Sequence, residues 1–526
     1  MGNSIDGIAR WVSELRYEDI PGRVIDKARL QILNILAATV SGKYCEALKP
    51  TVSLAFPPGD ATVIQAGGKT DAAHAAFMNA LYSMTFDFDD YLFMGHTGHS
   101  SVLAPLALAE ERDLTLKDVL LAQVAANEVE GRLGASVLFG PHNGQMWSYI
   151  HAVGAATASS KMLGLSKEQT ASAIALSLYQ PNYALYPGFM HGDSKLFTAA
   201  VPILSGMLYA GFARAGMRGN AGILDVEHGF LSHFSYVPLP HLFSGLGDWW
   251  VTDTIAFKPY PGCAYIDTTI DCIYGIMAQY LQDKKAPLAL SDIKHVDVFA
   301  NILTVGMTAL SEMYDDRTLN PVNINFSIPK SAAIALIHHA LGPEHLGASM
   351  LSKHAGDIRS LAEKVTLHHD WRYTLSMQGS FYEAIGSGFM LRDTGALALV
   401  KAFFRMRKDL PKIKLDLQGL LKAWTDMAPG QKETIKKGLR KKDDYVKMER
   451  FVFSFGARVR LETNDAQVYE AESIIPRGAS SDRRDVVVQK LSSAVGSDTK
   501  AAALFDLTVP QTPARQYVKQ VVEGIA

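Results

Sequence analysis

From Ser4 to about residue 255, apolar residues return every three or four positions, and almost no run alternates apolar with polar. This restricts the first half of the chain to packed helices, because a buried helix face recurs at that spacing and a buried strand face at every second residue. Ile5, Ile8, Val12 and Leu15 form the first stripe, with Ser4 placed to cap it. Pro21 suits the first turn of a second helix that stops near Gly42, and Thr70 with Asp71 opens a third whose stripe is Ala73, Phe77, Leu81 and Met84. Alanine-rich segments at 101–112, 115–131, 151–163 and 195–214 continue the series, and Ser166 with Gln169 makes a capping box for a helix at 166–178.

After the turn Lys258-Pro259-Tyr260-Pro261-Gly262 the pattern changes. Strand candidates run from His295 to Val305, from Lys364 to His368, and from Arg458 to Glu462 paired with Gln467 to Ile474 across Asn464-Asp465. The spacing predicts an α+β region over about 266–475, with the last fifty residues helical again. A helical segment at about 373–450 lies inside it, and residues 401–450 carry 15 Lys and Arg against 7 Asp and Glu, a net of +8. That segment reads either as a solvated helical excursion or as a docking surface for an acidic partner.

With 51 Lys plus Arg against 53 Asp plus Glu, the 526-residue chain has no overall pull toward nucleic acid or anionic membrane. Cys45, Cys263 and Cys272 form neither a disulfide framework nor a thiolate zinc site, which points to a reducing compartment. No basic start followed by an apolar stretch opens the chain, and apolar runs such as Ile32 to Val40 are short. A cytoplasmic or organelle-matrix protein is expected, with neither nucleic acid nor membrane as partner.

Several signatures fail. Gly67-Gly68-Lys69-Thr70 ends like a phosphate loop but has Val63 where the first glycine belongs, and Ser327-Ile328-Pro329-Lys330 lacks the companions of the SxxK motif. What remains is the stretch from Asp87 to Ser101, with Asp87, Asp89, Asp90, His96 and His99 in thirteen positions. It reads as a surface loop capping the next helix through Ser100, as a metal site of no standard spacing, or as an acid/base site. Lys195, in Gly192-Asp193-Ser194-Lys195, and Lys258 would give a cleft shared with His99 enough positive charge for a substrate with two or three carboxylates. Cys263, in the same turn as Lys258, is a thiol acid/base candidate or an inert buried cysteine.

These blocks together resemble the MmgE/PrpD family. The resemblance rests on Asp87-Phe88-Asp89-Asp90 leading to His99-Ser100-Ser101, the segment Gly154 to Gly164, Gly192 to Lys195, Leu224 to Phe230, Ala256 to Gly262, and the strands near 458–474. It implies a mostly α fold, with a large all-helical domain built from both chain ends (1–265 and 476–526), an α+β lid (266–475), a cleft site between them and a homodimer. It further implies no metal or organic cofactor and chemistry next to a carboxylate of a small di- or tricarboxylate. By position, Asp87, His99, Lys195 and Lys258 match family active-site residues, as does His142. On this reading Lys195 and Lys258 stabilise a carbanion or enolate, and His99, oriented by Asp87, moves the proton. Cys263 joins the catalytic set, while Lys195, Tyr91, His142 and Lys330 bind substrate. Tyr91 stands where many members have Thr, Cys263 where some have His, and Lys330 where Tyr is common. The expected activity is a cofactor-independent dehydratase or decarboxylase. An epimerase or isomerase is the alternative, as is a non-catalytic member that binds a partner through the basic insertion.

Overall fold

Asp71 accepts hydrogen bonds from the amides of Ala73 and His74 and so fixes the start of a helix, and Ser166 with Gln169 does the same for another through a capping box. Such local signals account for most of the first half. In the computed structural model, which describes residues 3–525 apart from 142, 146, 391, 393, 410–415, 441–444 and 482, this half contains eight long helices. They are α1 (Ser4–Glu14), α2 (Gly22–Ser41), α3 (Ala72–Met84), α4 (Gly98–Glu111), α5 (Leu116–Ser136), α6 (Ser148–Met162), α7 (Lys167–Tyr179) and α8 (Phe197–Arg214). The cap of α1 is Asn3 rather than Ser4, because the Asn3 side chain accepts from the Asp6 amide while the Ser4 amide reaches Asp225. Helices α6 and α8 approach backbone to backbone, since a Cβ on Gly206 would collide with the Ala152 carbonyl. The segment Asp193–Arg214, which includes α8, is long and apolar enough to cross a bilayer, yet 56% of its apolar window is buried inside the protein. One face stays open, with Phe197, Val201, Leu208 and Phe212 exposed.

The second half mixes α9 (Asp267–Lys284), α10 (Ile302–Met313) and α11 (Ile328–His338) with a sheet of β1 (Ile293–Ala300), β2 (Val365–His369), β3 (Ala457–Thr463) and β4 (Val468–Ser473). The strand order is β4-β3-β1-β2, in which β1 and β2 are parallel and the other pairs antiparallel. The strand expected to run to Val305 stops at Ala300. Asn301 there accepts from the amides of Leu303 and Thr304 and turns the remaining apolar run into α10.

The predicted insertion supplies α12 (Trp371–Ala384), α13 (Ala396–Asp409), α14 (Leu417–Asp426) and α15 (Pro429–Arg440). It is more than a solvated excursion. Tyr373 donates to Glu472 on β4, while Phe381 packs on Phe93 and Phe389 on Trp249, so α12 and the residues after it bridge the sheet and the helical body. Its other side leaves Leu397, Val400 and Leu421 exposed.

Finally α16 (Arg483–Val495), α17 (Asp498–Leu507) and α18 (Ala514–Ile525) return to the body. Val486, Leu491, Tyr517 and Val521 share one buried cluster with Ile32 and Leu36, and Arg515 donates to the Glu110 carbonyl at the end of α4. The sheet residues Val296, Val298, Val459 and Leu461 join Ile270, Ile273 and Ile334 in a separate cluster.

Candidate active site

The loop after α3 and the turn that carries Lys258 are distant in sequence but pinned together by a short antiparallel pairing of Asp90-Tyr91 with Ala256-Phe257, extended by the Lys258 amide donating to the Asp89 carbonyl. That pairing brings the acidic loop and the lysine turn into one site. Asp87 adopts a left-handed backbone (φ 53°), and Asp87 and Asp89 both reach the Lys258 ammonium.

Lys258 is fully buried. Its Nζ donates to Asp89 Oδ1 at 2.5 Å and to the Asp87 carbonyl at 2.8 Å, and lies 3.3 Å from Asp87 Oδ2. Lys195, delivered by the short turn before α8, is equally buried and stands 3.1 Å from Asp87 Oδ1, over the Phe326 ring. The approach to Asp87 is out of line for a hydrogen bond, so Lys195 keeps donor capacity for a ligand. His99, in the first turn of α4, is held at both ring nitrogens: Nδ1 by Ser83 Oγ at 2.8 Å and Nε2 by Asp89 Oδ2 at 3.1 Å. His96 Nδ1 reaches the same Asp89 oxygen at 3.0 Å.

The expectation that Asp87 orients His99 is therefore corrected. Asp89 does so, because both oxygens of Asp87 are drawn to the two lysines. Further buried polar groups lie behind His99. The His151 ring is 5.7 Å from that of His99, and its Nδ1 is 2.8 Å from Ser100 Oγ, which also bonds the Glu130 carboxyl. From the other side Lys490 on α16 donates to the carbonyls of Phe88 and Lys258 and to Asn34 Oδ1.

Burial opposes charge throughout, and the outcome depends on partners. It works against ionising Asp87, but Lys195 and Lys258 outweigh it and hold the carboxyl below the usual range; Lys258 and His96 do the same for Asp89, more strongly. Burial lowers Lys195 despite Asp87, whereas in Lys258 the two aspartates prevail and raise it. Without comparable partners, burial raises Asp267 and Glu130 well above the carboxylate range, keeps His151 neutral, and pushes Lys490 down to about 7. Burial and Asp87 push the Cys263 thiol up to about 12, so it is protonated at neutral pH.

Residues 6–240 match the MmgE/PrpD N-terminal domain and residues 260–386 the MmgE/PrpD C-terminal domain. The chain belongs to the MmgE/PrpD family. Among curated MmgE/PrpD relatives, a cis-aconitate decarboxylase of Aspergillus terreus is 26% identical over 63% of this chain and 71% of its own length. The human cis-aconitate decarboxylase is 27% identical over 55% of this chain and 63% of its own length. Like them, this MmgE/PrpD chain is an enzyme of the lyase type.

Of the residues singled out by sequence, Asp87, His99, Lys195 and Lys258 converge. Cys263 is buried beside them, its amide bonded to the Asn325 carbonyl. Tyr91 is buried against Phe453 and Phe455, and its hydroxyl has no partner among the described residues. Lys330 is engaged elsewhere, with Asp315 and Asn323 each at 2.9 Å. His142 lies outside the described residues. Sequence reasoning missed Asp89 as the partner of His99, although it was in view, and missed His151, Glu130 and Lys490. The last three sit within helices with no local mark distinguishing them from ordinary helix residues.

Proposed function

We propose that this enzyme removes CO2 or water next to a carboxylate of a small di- or tricarboxylate, using side chains alone, with cis-aconitate as the first substrate to try. One observation carries the reading: Lys195, Asp87, Lys258, Asp89 and His99 form a continuous buried chain of charge-assisted contacts. Departure of CO2 leaves an electron pair that spreads into the neighbouring carboxylate as an enolate. Lys195, with donor capacity to spare, stabilises that oxygen where water is excluded. His99, fixed by Ser83 and Asp89, then delivers a proton to the carbon. Further polar groups await a partner. Among the described residues both Asp267 oxygens, the Asn325 amide and the Tyr91 hydroxyl are buried and unpaired, and Asp267 and Cys263 lie within electrostatic reach of Tyr91. A polar substrate would satisfy them. The MmgE/PrpD relatives named cis-aconitate decarboxylase support the choice of acid.

The test is a proton NMR time course in D2O with cis-aconitate and a panel of citrate-like and succinate-like acids. Decarboxylation shows as loss of CO2 with one deuterium taken up on the carbon skeleton, and dehydration as new vinylic signals from a saturated hydroxy acid without loss of CO2. Deuterium exchange without a leaving group would mark an epimerase instead. A folded protein silent across the panel would sink the reading.

We also propose that a second copy of the chain covers the exposed face of α8. Phe197, Val201, Leu208 and Phe212 make an apolar stripe that a lone helix in water does not favour. Sedimentation should give a dimer that Leu208→Glu dissociates, and a monomeric parent protein would refute the pairing.

A further inference from the structure

Tyr91 connects the active site to a second concavity. Its ring packs on Phe453 with centroids 4.5 Å apart, and its backbone pairs with Ala256. Phe453 and Ala256 also line an open cavity of about 390 Å³ bordered by α2, residues 253–256, residues 449–453 and the start of α16. None of Asp87, Asp89, His99, Lys195 and Lys258 lines it. Its size falls in the range of small-molecule sites and exceeds what a lone inorganic ion needs.

The lining is chemically mixed. Leu30, Ile255, Phe451 and Phe453 supply apolar surface. Beside them stand the cations Arg23, Lys27, Arg483 and Arg484 and the carboxylates Asp26, Asp253 and Glu449. Arg23 is committed to Asp253, with three contacts of 2.9 to 3.1 Å. Asp26 leans on Arg29, outside the cavity, at 3.5 Å. Lys27 donates to the Ile255 carbonyl, and Arg483 to the Ser480 carbonyl at 3.3 Å, which leaves both with unused N–H donors. Among the described residues no carboxylate lies within ion-pair distance of Lys27, Arg483 or Arg484. Burial and the nearby Arg483 push the Lys27 ammonium down to about 7, against the weaker pull of Asp253, which is itself bonded to Arg23. Two cations held near each other in a concavity repel unless an anion stands between them.

We infer that this cavity is a second binding site, for a small molecule with an oxyanion group held by Lys27 and Arg483 and an apolar or aromatic body lying on Phe451 and Phe453. The oxyanion is a phosphate or a carboxylate, which share this chemistry. One helix runs from this cavity to the active site. Arg483 and Lys490 are seven residues apart on α16, about two helical turns, and Lys490 holds the carbonyls of Phe88 and Lys258.

The full-length protein is to be titrated calorimetrically with phenyl phosphate, benzoate and inorganic phosphate. Phenyl phosphate or benzoate should bind more tightly than inorganic phosphate, and which of the two leads identifies the head group. Arg483→Ala and Lys27→Met should each weaken the tighter probe at least about tenfold, as expected for loss of one charged hydrogen bond. Phe451→Ala should remove the advantage over inorganic phosphate. Lys195→Met should leave binding intact, because Lys195 belongs to the other site. The inference fails if neither aromatic probe binds the parent protein at millimolar concentration. It also fails if Lys195→Met abolishes binding while Arg483→Ala and Lys27→Met, shown folded by circular dichroism, retain it.

Discussion

His99 is held at both ring nitrogens, by Ser83 and by Asp89, and is wholly buried, so its ring has one orientation to offer a substrate. A group so placed contributes about 10²–10⁴-fold as a general acid or base. His99→Gln, which keeps the size and one polar contact, should lose turnover of the active acid by that factor while its circular dichroism is unchanged. Lys490 provides a separate test at the same scale. Its folded-state value of about 7 lies below the ordinary lysine value of about 10.4, so between those limits the unfolded chain binds more protons than the folded one. Stability from this residue therefore rises with pH from about 7 to about 10. Thermal unfolding from pH 7 to 10 should show a flatter profile for Lys490→Met than for the parent. At this scale the composition of the site was legible, since two lysines, a histidine and an acidic loop stand out in the chain. The pairing was not, because Asp87 and Asp89 are the same residue type two positions apart, and only the Lys195 and Lys258 positions decide which one is left for His99.

Helices and strands were the most legible level, because capping and periodicity act over a few residues. Asp71 and the Ser166–Gln169 box start their helices where the pattern places them. The errors are local competitions: Asn301 converts an apolar run from strand to helix, and Asn3 takes the cap from Ser4. How elements approach one another is a different matter. Gly206 reads as an ordinary small residue in an apolar helix, yet in the fold it sits against the Ala152 carbonyl and Ala155 on α6. Gly206→Ala should therefore cost about 1–3 kcal/mol by overpacking, read as a lower denaturation midpoint, whereas Gly211→Ala on the open side of α8 should not. The insertion teaches the same lesson. Its basic charge marks one surface, but the aromatic contacts of Phe381 and Phe389 with the body are visible only once the chain has folded.

For the whole molecule, the final helices are part of the body that the first helices begin. Removing residues 476–526 would expose Ile32 and Leu36, strip Lys490 from Asn34, and leave Leu116 without the Thr512 carbonyl. Such a truncated chain should show no cooperative unfolding transition, in contrast to the full protein, and should collect in the insoluble fraction. The sequence by itself determined that the chain is mostly helical, where its sheet hairpin lies, and which residue types gather near Asp87 and Lys258. Those outcomes follow from periodicity, capping and turn chemistry, each confined to neighbouring residues. Only the tertiary structure decided that Asp89 serves His99, that His151 and Glu130 stand behind it, and that Lys490 closes the site from the far end of the chain. These contacts join residues from 10 to more than 400 positions apart, and their strength depends on the water excluded around them, which no local pattern records.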